Sequence, residues 1–517
     1  MARARHVSFA ESTTADRSPE PANVTPIRLT GTQDAEGPRV ACALIGRPSE
    51  RSRRGVVVAL AAAVACASTA CAARARVPAD AAHAGGSPPV PQQAQRSFIV
   101  PAVEIVVMDI LVNIAARRVM TPEHFEVSLA SIRRNLRGPW VVDDDPFEVN
   151  QFLHPYQGAM YHGIARSSGL NYWQSVAYTF AGSALWEIAG ETTSPSKNDQ
   201  IASGIAGSFL GEPLFRTSRL ILVKGGDQPG FLRALAATIV SPPSGVNRLL
   251  FGDRFHPDAP GEMPFADLRL ELGVTVSLTD LPRRISSRRA TTPFVGFAID
   301  YGFPGVAPST HSTPFDSFRL EGIASSGGFQ NLAARGLIAG QDYGAGVRGR
   351  GIWGLYGGYD YFAPGIFRVS STNASLGTTA QSHLGALTLH ATALLGIGYT
   401  AAQTVADGDE GDYHYGIAPQ GLISLRAIAG RRASLDLSAR EYLISDIGGF
   451  GTSRRDRVLR GDATMALRIA AKHGLAIKYL WSERRETPRG LPRLTQPEST
   501  VGLFYTFLGS GGFGANR

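Results

Sequence analysis

Between Leu268 and Leu278 the chain alternates without a break. Leu268, Leu270, Leu272, Val274, Val276 and Leu278 are apolar, while Arg269, Glu271, Gly273, Thr275 and Ser277 between them are polar or small. A period of two puts each set on its own face of a β-strand. Similar segments lie near Phe294–Tyr301, Phe318–Ser325, Asn331–Ala339, Gly349–Tyr361, Leu384–Tyr399, Tyr413–Ala427, Ala433–Leu443, Val458–Ala470, Leu475–Trp481 and Thr500–Phe507. So many two-faced strands in one half of a chain must either stack as two sheets or close on themselves. Closure is the stronger reading, because the chain carries 58 glycines and only 18% charged residues, against about 25% in a soluble protein. That composition suits strands with one side in lipid and the other in a lumen.

Bacterial barrels of this kind have an even strand number, so these eleven segments predict an antiparallel transmembrane β-barrel of about twelve strands over residues 265–508. Short turns such as Ala429–Arg432 and Lys472–Gly474 read as periplasmic hairpins. The longer connections Gly302–Phe315, Ser370–Gln381, Ala401–Asp412 and Glu483–Glu498 read as external loops. Trp353, Tyr356, Tyr359, Tyr361, Phe362, Tyr479, Trp481, Tyr505 and Phe507 cluster near strand ends, where membrane girdles place aromatics. The last strand, Val501–Phe507, resembles the terminal strand that barrel-assembly machinery recognises. A tail, Leu508–Arg517, follows it.

The beginning of the chain agrees with export. Arg51, Arg53 and Arg54 precede Gly55–Ala73, a run of Val, Ala and Leu. Positive charge before a short apolar core is a secretory signal, and the small residues at Ala70-Cys71 offer a cleavage site. Lipidation at Cys71 is the alternative. Residues 1–50 are polar and patternless and read as disordered, or as an extension outside the mature protein; residues 74–97 have linker composition. The three cysteines, Cys42, Cys66 and Cys71, all lie in or before the export segment. Disulfides and thiolate metal sites are thereby excluded from the body of the protein. Much of the net charge of +8, about half, sits in the Arg-rich first 75 or so residues. No basic face with aromatic platforms follows, so nucleic acid is not an expected partner; outer-membrane lipid is.

Residues 98–242 change pattern and predict a small all-α domain, which makes the whole an α+β layout. Phe98–Ala116 is apolar but carries Glu104, Asp109 and Asn113, and reads as a buried or interfacial helix. Helices are expected over Pro146–Arg166, Asn171–Gly190 and Ser196–Leu220, the last opened by Ser196 with Asp199 three residues on. Gly204, Gly207, Ser208 and Gly211 allow a close helix–helix approach.

The series Trp140, Asp143-x-Asp145, Asn150, His154-Pro155-Tyr156-x-Gly158, Ala165-Arg166, Gly169, Trp186-Glu187, Glu191, Pro195-Ser196, Asp199 and Gly211-Glu212 resembles an uncharacterised bacterial family, domain of unknown function 3943, over about residues 101–222. The resemblance implies a domain that precedes β-rich regions in exported proteins. It brings no activity and no cofactor.

His154 and His162 share one predicted helix within about 80° of each other, and Glu187 and Glu191 share a face of the next. With Asp199 and Glu212 they are candidates for a metal site; His154, His162, Glu187 and Glu191 are candidates for acid–base catalysis. The spacing is not the zinc-hydrolase helix pattern, and the plainer reading is a set of buried pairs that position helices. Ser382-His383 with His390 is a weak nucleophile candidate, since adjacent strand residues face opposite ways. Two functions follow as expectations. One is a barrel with a helical plug or docking domain in a channel, transport or envelope-structure role. The other is a lipid-acting hydrolase using the helical His and Glu residues, with the small-molecule ligand left open.

Overall fold

The computed structural model describes residues 95–143, 145–224, 229–255, 265–278, 291–303, 311–326, 328–346, 349–405, 413–446, 455–487, 492–510 and 513–514. The disordered, signal and most of the linker segments expected above lie outside the described residues.

Among the described residues the helical part comprises α1 (Ile99–Val119), α2 (Leu129–Arg137), α3 (His154–Ser167), α4 (Tyr172–Ala189), α5 (Gly207–Val223), α6 (Phe231–Val240) and α7 (Pro242–Phe251). It therefore runs past residue 242 as far as Phe251. Local chemistry sets the ends. Asn171 and Gln174 form a reciprocal capping box at the start of α4, and Ser196 accepts the Asp199 amide where the chain turns toward α5. Gly169, at φ +85°, lets the chain leave α3. Two π-helical stretches, Val149–Leu153 before α3 and Gln200–Ala206 before α5, widen the helix where it carries polar side chains inward. Helices α3 and α5 cross backbone to backbone. A Cβ on Gly158 would stand 2.0 Å from the Ser203 carbonyl oxygen, and one on Gly207 would stand 2.6 Å from the Gly158 Cα.

Twelve antiparallel strands then close into a barrel, in sequence order around the ring. They are β1 (Ala266–Ser277), β2 (Thr291–Tyr301), β3 (Phe318–Ser325), β4 (Gly328–Gly344), β5 (Gly349–Phe362), β6 (Phe367–Leu384), β7 (Leu387–Thr404), β8 (Tyr413–Ala429), β9 (Ala433–Asp446), β10 (Arg455–Ala470), β11 (His473–Thr487) and β12 (Leu494–Leu508). Strand β6 was the one the alternation missed. Ser370–Gln381, expected as an external loop, is its centre; the pattern is weak there because the outward positions hold Ser, Thr and Ala with Leu376 as the one large apolar residue. The β2–β3 connection also differs from expectation: Gly302–Phe315 leaves the barrel at the end that carries the tight hairpins, not the opposite one.

Residue parity separates outside from inside. Outward positions include Leu270, Leu272, Trp353, Leu355, Leu395, Ile397, Ile423, Leu437, Ile477 and Leu503, all exposed. On the same face of β5, however, Tyr359 and Tyr361 are buried. They lie under the helical part, in one apolar cluster with Phe147, Met160, Phe209 and Leu210. The helices thus cover the outer wall from β2 to β8. A plug in the lumen is not the arrangement found. The aromatic positions expected as a girdle split accordingly: Trp353, Tyr479 and Tyr505 are exposed, Tyr359 and Tyr361 pack under helices, and Tyr356 and Phe362 have lumen parity.

The lumen is filled by the protein's own side chains. Arg426 of β8 reaches Asp300 of β2 at 2.8 Å, and Arg460 of β10 reaches Asn331 of β4 at 2.9 Å. Each pair joins strands six places apart in a ring of twelve, so both bonds run across the tube. Arg269–Asp436, Arg319–Asp300 and Arg440–Asp360 extend this belt. Apolar clusters lie beyond it: Phe362, Phe367, Val369 and Ile444 toward one end, and Ile428, Phe504 and Leu508 toward the other. The second cluster includes Phe513 of the tail, which turns inward where Ser510 Oγ donates to Asp267 Oδ1 at 2.6 Å.

A valine at Gly207 should force α3 and α5 apart, at a cost of about 1–3 kcal/mol or more. We expect Gly207→Val to keep the barrel's heat-modifiable gel shift while the helical part becomes markedly more sensitive to trypsin. Unchanged resistance would contradict the backbone crossing.

Candidate functional site

Five of the six candidate residues divide between two buried clusters, and the sixth, Glu191, is only half-buried. In the first, His154 opens α3, Glu187 lies near the end of α4, and Asp199 stands just before the π-helical stretch that leads into α5. One ligand-type atom from each lies within 4.8 Å of the others, and His154 Nε2 is 3.6 Å from Asp199 Oδ2. Glu187 Oε2 accepts from the Ser196 amide at 2.8 Å. Asp143 joins them: its Oδ1 accepts from Asn198 Nδ2 at 2.7 Å and from Asn150 Nδ2 at 2.6 Å. The barrel wall closes the site, with Tyr415 Oη accepting from Asn198 Nδ2 at 3.1 Å and Tyr413 Oη accepting from Asn150 Nδ2 at 2.9 Å.

Glu191 stands at the margin. Its Oε1 accepts from the Trp186 indole at 2.6 Å and its Oε2 from Thr193 at 3.0 Å. His162 and Glu212 form the second cluster, one helical turn and more away along α3 and α5. The imidazole Nε2 is 2.9 Å from Glu212 Oε2, and Arg166 and Arg216 each approach the same carboxylate at 2.7 Å. Arg216 continues to Asp316 beside the barrel at 3.0 Å. Every charge there has a partner. The expected convergence of His154, His162, Glu187 and Glu191 into one acid–base centre is not what the helices build. Ser382 faces away from both histidines: His383, bonded to Gln381 and Thr388, and His390, packed on Phe303, share the lumen side of neighbouring strands, and Ser382 has outward parity.

The two clusters differ in their electrostatics. Burial alone would raise Glu212, but Arg166, Arg216 and His162 outweigh it and hold the carboxyl well below its usual range. Glu187 has no such help. Burial, reinforced by the Glu191 carboxylate, pushes it up to about 9. Burial and then Asp143 raise Asp199 well above the ordinary carboxylate range. Asp143 ends lower than usual, because hydrogen bonds from Asp199 and Asn198 and the charge of His154 overcome its own burial. Burial lowers His154, against the pull of Glu191 and Asp143.

Sequence reasoning named the trio but not its surroundings. Asp143 and Asn150 stood in the motif series without a role, and Asn198 stood out by nothing. Tyr413 and Tyr415 gave no local sign, being more than 200 residues from their partners in the chain.

Residues 139–243 match the model of a family described as domain of unknown function (DUF3943). The matched segment holds both clusters and four of the helices in full, α3 to α6. No curated protein matches the chain. Solved structures similar to it include a NanC porin, at 9% identity and TM-score 0.24, covering 46% of this chain and 98% of that one. A loop-deletion mutant of OmpT, an outer membrane protein of Vibrio cholerae, is similar at 7% identity and TM-score 0.19, covering 48% and 100%. A mutant of the TodX monoaromatic hydrocarbon channel is similar at 9% identity and TM-score 0.20, covering 51% and 92%.

The raised Glu187 carboxyl has a pH signature in the cation-free protein. Unfolded, the group ionises near 4.5; folded, it keeps its proton to about 9. Between these values unfolding releases a proton, so stability should fall as pH rises, by at most about 1.4 kcal/mol per pH unit for one proton. Urea unfolding followed by tryptophan fluorescence from pH 5 to 8, with chelator present, should show this slope, and Glu187→Gln should reduce it. Equal slopes in the two proteins would remove Glu187 as the source.

Proposed function

We propose that this protein is a non-conducting barrel of the bacterial outer membrane that anchors a helical domain against its lipid-facing wall, in an envelope-structure role. The observation that carries this reading is the pair of bonds across the lumen, Arg426–Asp300 and Arg460–Asn331, each between diametrically opposed strands. A pore needs a continuous aqueous path, and large barrels leave one where small barrels fill with side chains.

Membrane residence is supported by the outward apolar belt and by ring closure, which leaves no unpaired strand edge for lipid to meet. Helix α1 adds to it. It is long and apolar enough to cross a membrane, and it has two faces. Ile105, Asp109, Val112 and Ala116 pack inward, and Val103, Val107, Ile110 and Ile114 point outward. Packed against α3 and α4, it leaves that second apolar face uncovered, as suits a helix standing in lipid beside the barrel. The Arg51–Ala73 export segment and a last strand with Leu503 and Tyr505 outward fit delivery by barrel-assembly machinery. The hydrolase alternative loses its support, because its four proposed residues do not share one centre.

Reconstituted in planar bilayers, the full chain should give no stable open-channel steps. Replacing Arg426 and Arg460 by alanine while removing residues 510–517 should introduce measurable leak. Sustained porin-like conductance from the unaltered protein would overturn the proposal.

A further inference from the structure

We propose that His154, Glu187 and Asp199 bind one divalent metal ion of the zinc type, inside the helical domain where it meets the barrel. The inference concerns the helical domain alone and stands or falls independently of whether the barrel conducts.

Geometry is the first support. Three donors from three separate helical segments place one ligand atom each within 4.8 Å of the others. The measured His154–Asp199 separation is 3.6 Å, and two ligands on a tetrahedral zinc ion at bond lengths near 2.1 Å stand about 3.4 Å apart. Closing around an ion therefore asks for little movement. An imidazole with carboxylate oxygens and no thiolate is a donor set for zinc or manganese rather than for copper(I).

Charge is the second support. The neighbouring buried carboxylate, Glu212, has two arginines and a histidine on it. Glu187 and Asp199 bring carboxylate oxygens within 4.8 Å of each other, Asp143 hydrogen-bonds Asp199, and among the described residues no lysine or arginine pairs with any of the three. Isolated buried carboxylates are costly, and the cost is met by protons, by a cationic side chain or by a metal. Here the cationic side chain is missing and the site includes an imidazole, which a proton-sharing carboxylate pair does not need.

A third observation is independent of both. Asn150 is fully buried, and its Nδ2 is fixed on Asp143, yet its Oδ1 has no hydrogen-bond partner. Asn150 is held on Asp143, which itself hydrogen-bonds Asp199 of the trio, so its orphaned amide oxygen is a further hard donor, or an acceptor for a metal-bound water. Outer contacts already orient the ligands: the Ser196 amide holds Glu187, and the Ser196 hydroxyl caps the Asp199 amide. Bound metal would tie α3, α4 and the turn before α5 into one unit, next to Tyr415 of β8.

The test uses the full chain in detergent, stripped with chelator and then titrated with cobalt(II) and zinc(II). We expect about one cobalt(II) per chain, visible as the strong visible-range absorption of a low-coordinate site and displaced by zinc(II). Glu187→Gln and Asp199→Asn should each weaken zinc binding at least tenfold, while Glu212→Gln should not. Heat-modifiable mobility and trypsin resistance report whether a variant is folded. If variants misfold, the cobalt(II) spectrum of the unaltered protein decides alone. Binding well below one ion per chain, featureless cobalt(II) absorption, or equal zinc affinity in folded Glu187→Gln would overturn the proposal.

Discussion

The ladder that joins β1 to β12, running from Arg269 opposite Leu508 to Ser277 opposite Thr500, turns a meander into a tube. From then on each strand residue has one of two environments. In an open sheet the charged face of β1 would look into solvent and the greasy face would need a second layer. In the closed ring Arg269 and Glu271 meet partners from other strands, Asp436 and Lys478, and Leu270 and Leu272 are left outside. A closed ring also satisfies every backbone group without a lipid-exposed edge.

A wall of that kind serves two different neighbours. Over β9 to β12 and β1 it presents Leu437, Met465, Ile477 and Leu503 outward. Over β2 to β8 the same parity presents Tyr301, Tyr359, Tyr361, Tyr413 and Tyr415. Their hydroxyls explain the difference. Tyr359 donates to the Gln151 carbonyl and Tyr413 to the Asp145 carbonyl, contacts a lipid chain could not supply. Tyrosine is the residue that can pack as a hydrophobe and still satisfy a buried polar backbone, and it marks the footprint of the helical domain on the barrel.

Within the helical domain two buried carboxylate groups are handled in opposite ways. Glu212 is neutralised within its own domain by Arg166 and Arg216 and then linked through Arg216 to Asp316. It locks α3 to α5 and both to the barrel. The group of Asp143, Glu187 and Asp199 has only His154 set against it. The first is a complete ion network; the second asks for a cation from outside or for retained protons. The close crossing at Gly158 and Gly207 lies in sequence between the two groups, with His154 and Asp199 before it and His162 and Glu212 after it.

Much of this was written in the order of the residues. Strict alternation identified β1, and repeated alternation with an even-number rule led to twelve strands, because a period of two is a property of the backbone and needs no neighbour. Capping at Asn171 and Ser196 and the small-residue run Gly204–Gly211 were local too. What only the tertiary structure decided was which face each pattern would meet. Ser370–Gln381 became a strand because β5 and β7 offered it hydrogen-bond partners, although Leu376 is the one large apolar side chain it turns outward. His154 and His162, neighbours by helical phase, parted because Asp199 and Glu212 arrive from a different helical segment at different heights. The helices lie against the wall and not in the lumen because the lumen was already occupied by Arg426, Arg440, Arg460 and Phe513. Pairing at long range is set by what competes for the same space, and that competition has no period in the sequence.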